Sequence, residues 1–318
     1  PSSLTPSQLS SYLSHLRLPK SLLSAPRDIY LLRLLHTLHL ASLPYENLAL
    51  HYSPTHDNSI LPSDLYTKCI SPSPSSSSPS RGRGGYCLEL SVLYLNLLRA
   101  VGFNAYPSMA RIRLRRGPVP EGRFVGYVHL TIIVTLADGT KWSSDVGFGG
   151  DGATAPLLLS EDARPVPNLG AQEVRLVRRT TQGVMLGKGL EGEKAWFYQY
   201  RNGEEGRWNT YYAFSGEPAD EARELDEVNH WTSTAEGSFQ RGTVLVVKFI
   251  LTADGLIAGK IMLADGVVKR NLGGKTEVLR VCRTEEERVL ALKEFFGIEL
   301  TDEQRDGIKG FATELKAD

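Results

Sequence analysis

One glycine-rich turn that leads directly into an apolar helix constrains this chain more than any other feature. Gly82, Gly84 and Gly85 precede Cys87, and glycine adopts turn conformations that other residues avoid. After the cysteine, apolar side chains recur at the three- and four-residue spacing of a helix face: Leu88, Val92, Leu95 and Leu98. The pattern therefore predicts a tight turn with Cys87 at the N-terminus of a buried helix.

Cys87 has two interpretations at such a position. The unpaired amides and the positive end of the helix dipole stabilise a thiolate, so Cys87 should ionise more readily than a free cysteine and act as a nucleophile. Free cysteine is also among the most buried residue types, and a buried core cysteine is inert. The choice depends on whether the chain supplies a base and a group that orients it.

A histidine and an aspartate downstream of Cys87 complete such a set. Residues 126–134 have the β-branched and aromatic composition of a strand, and His129 lies within it. A two-residue hairpin turn at Asp138-Gly139 should return the chain as an antiparallel strand, with position 129 opposite position 148 and Asp145 a few residues along. Taken singly, His129 fits a core histidine and Asp145 a turn-capping carboxylate. Together with the cysteine, they predict a catalytic triad.

The segments around Cys87, His129 and Asp145, together with regions before and after them, resemble those of a known protein family. They are Arg83-Gly84-Gly85-Tyr86-Cys87, His129 and Asp145-Val146-Gly147-Phe148-Gly149, with Pro44-Tyr45-Glu46-Asn47-Leu48 upstream and residues 229–239 and 290–300 downstream. The chain resembles the arylamine N-acetyltransferases over close to its whole length. The segment 71–80, which holds only serine and proline, and the long segment 151–210 resemble eukaryotic members, in particular those of fungi.

The residue pattern and the resemblance imply the same α+β fold. Helical spacing dominates up to about residue 50, short strands and turns follow from about 105 to 212, and later strands precede a helix over 284–296. The resemblance implies a cysteine-protease-like core of an N-terminal helical bundle and a β-barrel, closed by a C-terminal α/β lid. We expect the bundle with the nucleophile over 1–104, the barrel with histidine and aspartate over 105–215, and the lid over 216–318.

The resemblance also implies a reaction. Cys87 would take an acetyl group from acetyl-CoA and pass it to an aromatic amine or hydrazine by a ping-pong mechanism, with His129 as the base and Asp145 holding its ring. Malonyl-CoA is the alternative donor, and it would require a cation or donor near its carboxylate. Two other classes remain open: a cysteine hydrolase or transglutaminase that uses the same triad, and a non-catalytic binding protein.

Further roles carry over by position. Glu46 and Arg83 are expected to form a structural salt bridge that holds the loop before Cys87. The loop that contains Gly126, Tyr127 and Val128 is expected to bind the pyrophosphate of coenzyme A through backbone amides. An aromatic pocket for the amine is expected from the following side chains, each of which also fits an ordinary core aromatic: Tyr45, Phe124, Phe148 and, less directly, Phe239.

Two clusters of basic side chains have competing interpretations. Arg111, Arg113 and Arg115 share one face of a strand by period-two alternation, which fits either a phosphate patch or, more strongly, a solvated barrel face. His36 and His39 are three residues apart on a helix, but no partner lies at metal-ligand spacing. We therefore predict solvated or partly buried histidines and no metal site.

Composition excludes several classes of protein. The chain has 318 residues, and 36 basic side chains balance 36 acidic ones, so no general attraction to nucleic acid or to an anionic membrane is expected. No apolar run has the length of a membrane span and no signal pattern opens the chain. The three cysteines have no paired spacing, which favours reduced thiols and a cytoplasmic protein. Segment 71–80 is expected to be a flexible loop with no part in the chemistry.

Overall fold

A computed structural model describes residues 2–71, 82–115, 117–181 and 193–316. The serine- and proline-rich segment predicted to be a flexible loop lies, from residue 72 onward, outside these ranges.

The first part of the chain is helical. Its elements are the helices α1 (Pro6–His15), α2 (Ile29–Ser42), α3 (Ala49–Tyr52), α4 (Pro62–Cys69) and α5 (Cys87–Val101), with a two-residue strand β1 (Tyr45–Glu46) after α2. Thr5 and Gln8 form a capping box at the start of α1, and the Asp28 side chain accepts hydrogen bonds from two amides at the start of α2. These caps satisfy amides that have no partner inside a helix, so they stabilise the starts of both helices.

Helix α5 begins at Cys87 and is buried on nearly all sides. It packs against α4 on one side and against strands β2 (Asn104–Ile112) and β3 (Tyr127–Thr135) on the other. Its apolar side chains join one core with those of α1 and α2. The helix ends at Gly102, whose φ of +105° is rarely adopted by other residues. The nucleophile candidate therefore sits at the junction of the helical part and the sheet.

An eight-stranded antiparallel sheet follows the helices. Besides β2 and β3 it contains β4 (Lys141–Ser144), β5 (Leu157–Leu158), β6 (Val166–Pro167), β7 (Gln172–Thr180), β8 (Lys194–Asn202) and β9 (Asn209–Phe214). The strand order is β5-β4-β3-β2-β9-β8-β7-β6, so the sheet is open, although it curls enough for β5 to contact β7. The predicted barrel is therefore not closed by hydrogen bonds among the described residues. Both edge strands have only two residues, and Pro167 has no N–H to donate.

The β3–β4 hairpin differs by one residue from the predicted register. Val134 pairs with Trp142 and Thr135 with Lys141, a register that places position 129 opposite 147 rather than 148. The cause is the loop: Leu136 accepts a hydrogen bond from Gly139 and donates one to Thr140, which leaves three residues in the turn instead of two. Gly139 takes a φ of +83°, as this turn type requires.

A second antiparallel sheet, of five strands, draws on both ends of the chain. It contains β10 (Leu245–Leu251), β11 (Ile257–Ala264), β12 (Val267–Asn271) and β13 (Thr276–Val281), and β1 pairs with the edge of β10. Strands β10 and β11 are antiparallel neighbours and form a hairpin. The segment expected to form the lid therefore shares a sheet with Tyr45 and Glu46. Strand β1 covers the edge of β10, which would otherwise expose unpaired backbone groups.

The remaining helices lie in the C-terminal part. They are α6 (Glu224–Thr234), α7 (Phe239–Gly242), α8 (Glu285–Ala291) and α9 (Asp302–Gly307), with a π-helical turn over Leu292–Phe296 that continues α8. Gly297, with a φ of +72°, ends this helical stretch, which agrees with the helix predicted over 284–296. Among the described residues, every helix is too short or too polar to cross a bilayer.

Candidate active site

Cys87 occupies the first position of α5, and its side chain lies against β3. The thiol is 3.6 Å from the carbonyl oxygen of Val128, the neighbour of His129. The backbone at Gly147 closes over the other side, because a Cβ atom at Gly147 would lie 2.6 Å from the Cys87 carbonyl oxygen and 2.5 Å from Ser91 Oγ. The cysteine is therefore held between two backbone segments that carry the other two candidate residues.

His129 and Asp145 form a buried pair. His129 Nε2 is 2.7 Å from Asp145 Oδ2, and both side chains are almost fully buried. Asp145 lies just beyond the end of β4, and its other oxygen, Oδ1, accepts a hydrogen bond from the Gly147 amide at 3.0 Å. The aspartate thus fixes the ring and leaves Nδ1 as the nitrogen available for proton exchange.

The thiol itself is not acidic. Burial raises the pKa of Cys87 to about 12, although hydrogen bonding to the amide of Leu88 at the helix N-terminus acts in the opposite direction. The expectation that Cys87 ionises more readily than a free cysteine is therefore wrong for the thiol alone, since removal from water outweighs the helix N-terminus. A thiolate at neutral pH requires a base that accepts the proton and stays beside it as a cation.

A buried network of charges supports the loop in front of Cys87. Arg83 Nε donates to Glu46 Oε1 at 2.9 Å, and Arg83 Nη2 donates to Glu46 Oε2 at 3.2 Å. Burial on its own would raise the pKa of Glu46, but the charges of Arg83 and Lys68 lower it to about 2. Lys68 also binds Glu89 at 2.7 Å, and Glu89 in turn accepts the Tyr86 amide at 3.0 Å. The ion pair expected between positions 46 and 83 is thus present within a four-residue network.

His36 secures both ends of the loop that carries Asp145. Its Nδ1 is 2.9 Å from Ser144 Oγ and its Nε2 is 3.0 Å from the carbonyl oxygen of Ala153. The ring is fully buried, and burial lowers the pKa of His36 to about 4, so it is neutral at pH 7. The prediction of a solvated or partly buried histidine is wrong here, and likewise for the fully buried His39. His36 contacts the end of β4, whereas His39 packs among helices, with its Nδ1 2.9 Å from the Tyr12 hydroxyl and its ring 4.9 Å from the Tyr94 ring.

A cavity of about 640 Å³ opens in front of the cysteine and the histidine. Its wall is mostly apolar and includes Tyr45, Phe148 and Phe239, three of the four aromatic side chains expected to bind substrate. The Phe148 ring lies 5.0 Å from the His129 ring, centroid to centroid. The cavity thus joins the thiol, the imidazole and an aromatic surface, which is suited to a flat apolar ligand.

Other expected binding residues lie elsewhere. Phe124 packs against Phe197 in a separate apolar cluster and does not line this cavity, because Arg113 lies over its ring instead. Of the three positions expected to contact coenzyme A, Val128 lines the cavity, whereas Tyr127 lies under the guanidinium of Arg111. Open space surrounds the Cα of Gly126.

A second, polar cavity of about 800 Å³ adjoins the first. The two share Arg115, Asp151 and Met262, and the second also contains Lys260 and Lys269. The sequence indicated Arg115 only as part of a basic strand face. It did not indicate the other four cavity residues: Asp151, Met262, Lys260 and Lys269. The aromatic residues in the segments Trp196–Tyr200 and Tyr211–Phe214 could have indicated the wall between the two cavities. Tyr200 and Tyr211 stack on each other there, beside Arg115.

Comparison with known proteins gives consistent results. A family model described as N-acetyltransferase matches residues 28–305. The N-malonyltransferase FDB2 of Gibberella moniliformis is 26% identical over 329 residues, which cover 96% of this chain and 92% of that protein. Two solved structures share the fold. The arylamine N-acetyltransferase of Mycobacterium abscessus has a TM-score of 0.77 at 21% identity, with 96% of this chain and 95% of that one covered. That of Mycobacterium marinum in complex with CoA has a TM-score of 0.72 at 20% identity, with 96% and 99% covered.

The family match spans most of the chain and includes Cys87 and His129, which line the cavity, and Asp145, which is paired with His129. The chain therefore belongs to the arylamine N-acetyltransferase family.

Proposed function

We propose that this protein transfers an acyl group from a coenzyme A thioester to the nitrogen of an aromatic amine or hydrazine through an acyl-cysteine at Cys87. One observation carries the proposal: the cysteine and a histidine paired with Asp145 line the same largely apolar cavity. A nucleophile, a base and a group that orients the base are the elements that thiol-based acyl transfer requires.

Proton transfer within the triad starts the reaction. His129 accepts the Cys87 proton at Nδ1, and Asp145 stabilises the imidazolium through Nε2. The thiolate attacks the carbonyl carbon of the thioester, the bond between that carbon and the coenzyme A sulfur breaks, and the imidazolium protonates the departing thiolate. Because one thioester replaces another, the acyl-enzyme forms at little thermodynamic cost.

The amine completes the cycle. Its nitrogen attacks the acyl carbon, the bond to Sγ breaks, and His129 passes the proton of the amine to the sulfur of Cys87. An aromatic amine is uncharged at neutral pH, so it can enter the apolar cavity beside Phe148 without losing the hydration of a charge. This order of events predicts ping-pong kinetics.

The charges around the cavities fit a polyanionic donor. Among the described residues, Lys260 and Lys269 line the second cavity against one carboxylate, Asp151, and are suited to bind the phosphates of coenzyme A. The chain as a whole has no net charge, so this excess is local. The M. marinum neighbour, crystallised with CoA, supports coenzyme A as the carrier.

Acetyl-CoA is the donor that the family implies, and malonyl-CoA is the second candidate. The similarity to an N-malonyltransferase over 96% of the chain favours the latter. A malonyl group ends in a carboxylate, and the cationic side chains in the cavity wall provide the partner that such a group needs.

Intact-protein mass spectrometry tests the proposal directly. The protein is mixed with acetyl-CoA or malonyl-CoA without amine, with Cys87→Ser as the control. A single acyl adduct on Cys87 that disappears when an arylamine is added is the expected result. Alkylation of Cys87 by iodoacetamide without any acyl adduct would point to a hydrolase instead, and a thiol that reacts with neither would point to a binding protein.

A further inference from the structure

We infer that Arg115 binds the free carboxylate of a dicarboxylic acyl group and so makes the enzyme select malonyl-type thioesters over acetyl thioesters. This inference rests on the proposed acyl transfer at Cys87 and adds to it the residue that recognises the donor.

The chemistry of a malonyl group limits where its partner can lie. The carboxylate carbon is two bonds beyond the carbonyl carbon that Cys87 attacks, so its partner must line the same cavity as the thiol. Among the described residues that line this cavity, the permanently charged cations are Arg113 and Arg115. The choice is therefore between two arginines.

Arg113 directs its charge away from the cavity. Its Nε donates to the carbonyl oxygen of Gly122 at 3.1 Å, and its guanidinium lies 5.0 Å from the centre of the Phe124 ring. Phe124 belongs to a separate apolar cluster that does not line the cavity. The stem of Arg113 can contribute to the wall, but its charge lies beside Phe124.

Arg115 presents its charge to the cavity. Its guanidinium lies 5.4 Å from the centre of the Tyr211 ring, and its Nη2 is 3.3 Å from Asp151 Oδ2. Tyr211 and Asp151 both line the cavity that contains Cys87. The Tyr211 ring in turn lies 5.4 Å from Phe148, and Phe148 lies 5.0 Å from His129. The Tyr211 and Phe148 rings thus form the cavity wall that runs from Arg115 to His129.

The guanidinium keeps donors for a ligand. Nη1 donates to the Pro118 carbonyl oxygen at 2.8 Å, and Nη2 contacts the Tyr211 hydroxyl and Asp151. Among the described residues, Nε has no hydrogen-bond partner. A guanidinium with donors still available recognises a carboxylate through charge-assisted hydrogen bonds.

Asp151 keeps an ion-pair partner if Arg115 turns to bind a substrate carboxylate. Its Oδ1 lies 3.6 Å from Lys260 Nζ, and Lys260 also donates to the carbonyl oxygen of Gly150. Two cations therefore flank one carboxylate, which leaves a net positive charge at the boundary of the two cavities. A substrate carboxylate that draws Arg115 toward the cavity leaves Asp151 paired with Lys260.

The test measures the second-order rate of acylation of Cys87 with three donors: acetyl-CoA, malonyl-CoA and acetoacetyl-CoA. Acetoacetyl is a neutral analogue of malonyl with nearly the same size, so it separates charge from shape. The variant is Arg115→Gln, and the matched control is Arg113→Gln in the same wall. Arg115→Lys keeps the charge but loses the planar fork of donors.

We expect malonyl-CoA to be the preferred donor of the unaltered protein. Arg115→Gln should slow acylation by malonyl-CoA about 10- to 100-fold, the range for a lost hydrogen bond to a charged group. It should change the rates with the two neutral donors less than about 3-fold, which also shows that the variant is folded. Arg115→Lys should recover part of the malonyl preference, and Arg113→Gln should leave the ratio of malonyl to acetoacetyl unchanged.

Three results would overturn the inference while acyl transfer stands. An equal loss with all three donors in Arg115→Gln would assign Arg115 to the phosphates of coenzyme A. A selective loss of malonyl transfer in Arg113→Gln would assign the carboxylate to the other arginine. Acylation of the unaltered protein by acetyl-CoA but not malonyl-CoA would exclude a dicarboxylic donor. If no donor acylates Cys87 in the unaltered protein, the proposed function itself fails.

Discussion

Replacing Glu46 by glutamine should destabilise the protein by an amount that depends on pH in a calculable way. The folded protein holds the pKa of this carboxyl at about 2, against an ordinary value of 4.5, because burial is outweighed by the charges of Arg83 and Lys68. The difference corresponds to about 3 kcal/mol of stability. Since the folded pKa lies below the unfolded one, this contribution is complete above about pH 5 and is lost as the pH falls toward 2.

Urea unfolding followed by tryptophan fluorescence measures this contribution. At pH 7 the Glu46→Gln variant should lose about 3 kcal/mol, since Arg83 keeps its charge in a buried site without the anion. At pH 3 the difference from the unaltered protein should shrink to about half, because the unfolded carboxyl is then almost fully protonated while the folded one is still mostly ionised. A difference that stays the same between pH 7 and pH 3, or one below about 1 kcal/mol at pH 7, would refute the reasoning.

A surface ion pair of similar geometry provides the control. Glu221 accepts hydrogen bonds from Arg99 at 2.8 and 2.5 Å, but its side chain is 41% exposed. The Glu221→Gln change should cost less than about 1 kcal/mol at either pH, because water screens an exposed pair. A loss as large as that for Glu46 would show that burial does not decide the magnitude.

Three further changes test the site itself. Gly147→Ala should slow acylation of Cys87 at least about 10-fold, because a 1 Å misplacement of reacting groups is costly and the new Cβ would lie 2.6 Å from the Cys87 carbonyl oxygen; Gly237→Ala, where a new Cβ would meet only open space, should have no effect. His36→Phe should lower the acylation rate by a similar factor while leaving the secondary structure seen by circular dichroism unchanged, and an unchanged rate would show that the Asp145 loop holds without it. His129→Ala should reduce iodoacetamide labelling of Cys87 at pH 7 to the background of a buried thiol, because burial alone raises the pKa of Cys87 to about 12; rapid labelling would mean that another group activates the sulfur.

Local sequence signals predicted the elements that bear the three proposed catalytic residues. Glycines followed by a helical apolar repeat indicated where α5 begins, since both the turn and the helix depend on neighbouring residues. The hairpin was predicted with a register one residue off, yet Asp145 still reaches His129. It does so because Asp145 lies beyond the last paired residue of β4, where the strand register no longer dictates side-chain direction.

Contacts between distant segments could not be predicted in this way. The two partners of His36 lie 108 and 117 residues away, so a helical pattern marked its position but not its burial. Phe124 lies just before β3 in the sequence, but it packs against Phe197 of β8 in another apolar cluster. The charge of Arg115 faces the cavity only because β9 brings Tyr211 beneath it.

The pairing of β1 with β10 has a consequence for how the enzyme is made. Tyr45 and Glu46 lie beside the cysteine loop, and Tyr45 also forms a bridge to Gly85. The strand that completes this pairing is distant in sequence: Leu245 donates to Asn47 across 198 residues. A ribosome synthesises the N-terminal part first, so Cys87 leaves the ribosome long before β10 exists. We therefore expect the nascent chain to carry Cys87 beside an incomplete sheet and to become competent for the proposed acyl transfer only after β10 has been synthesised.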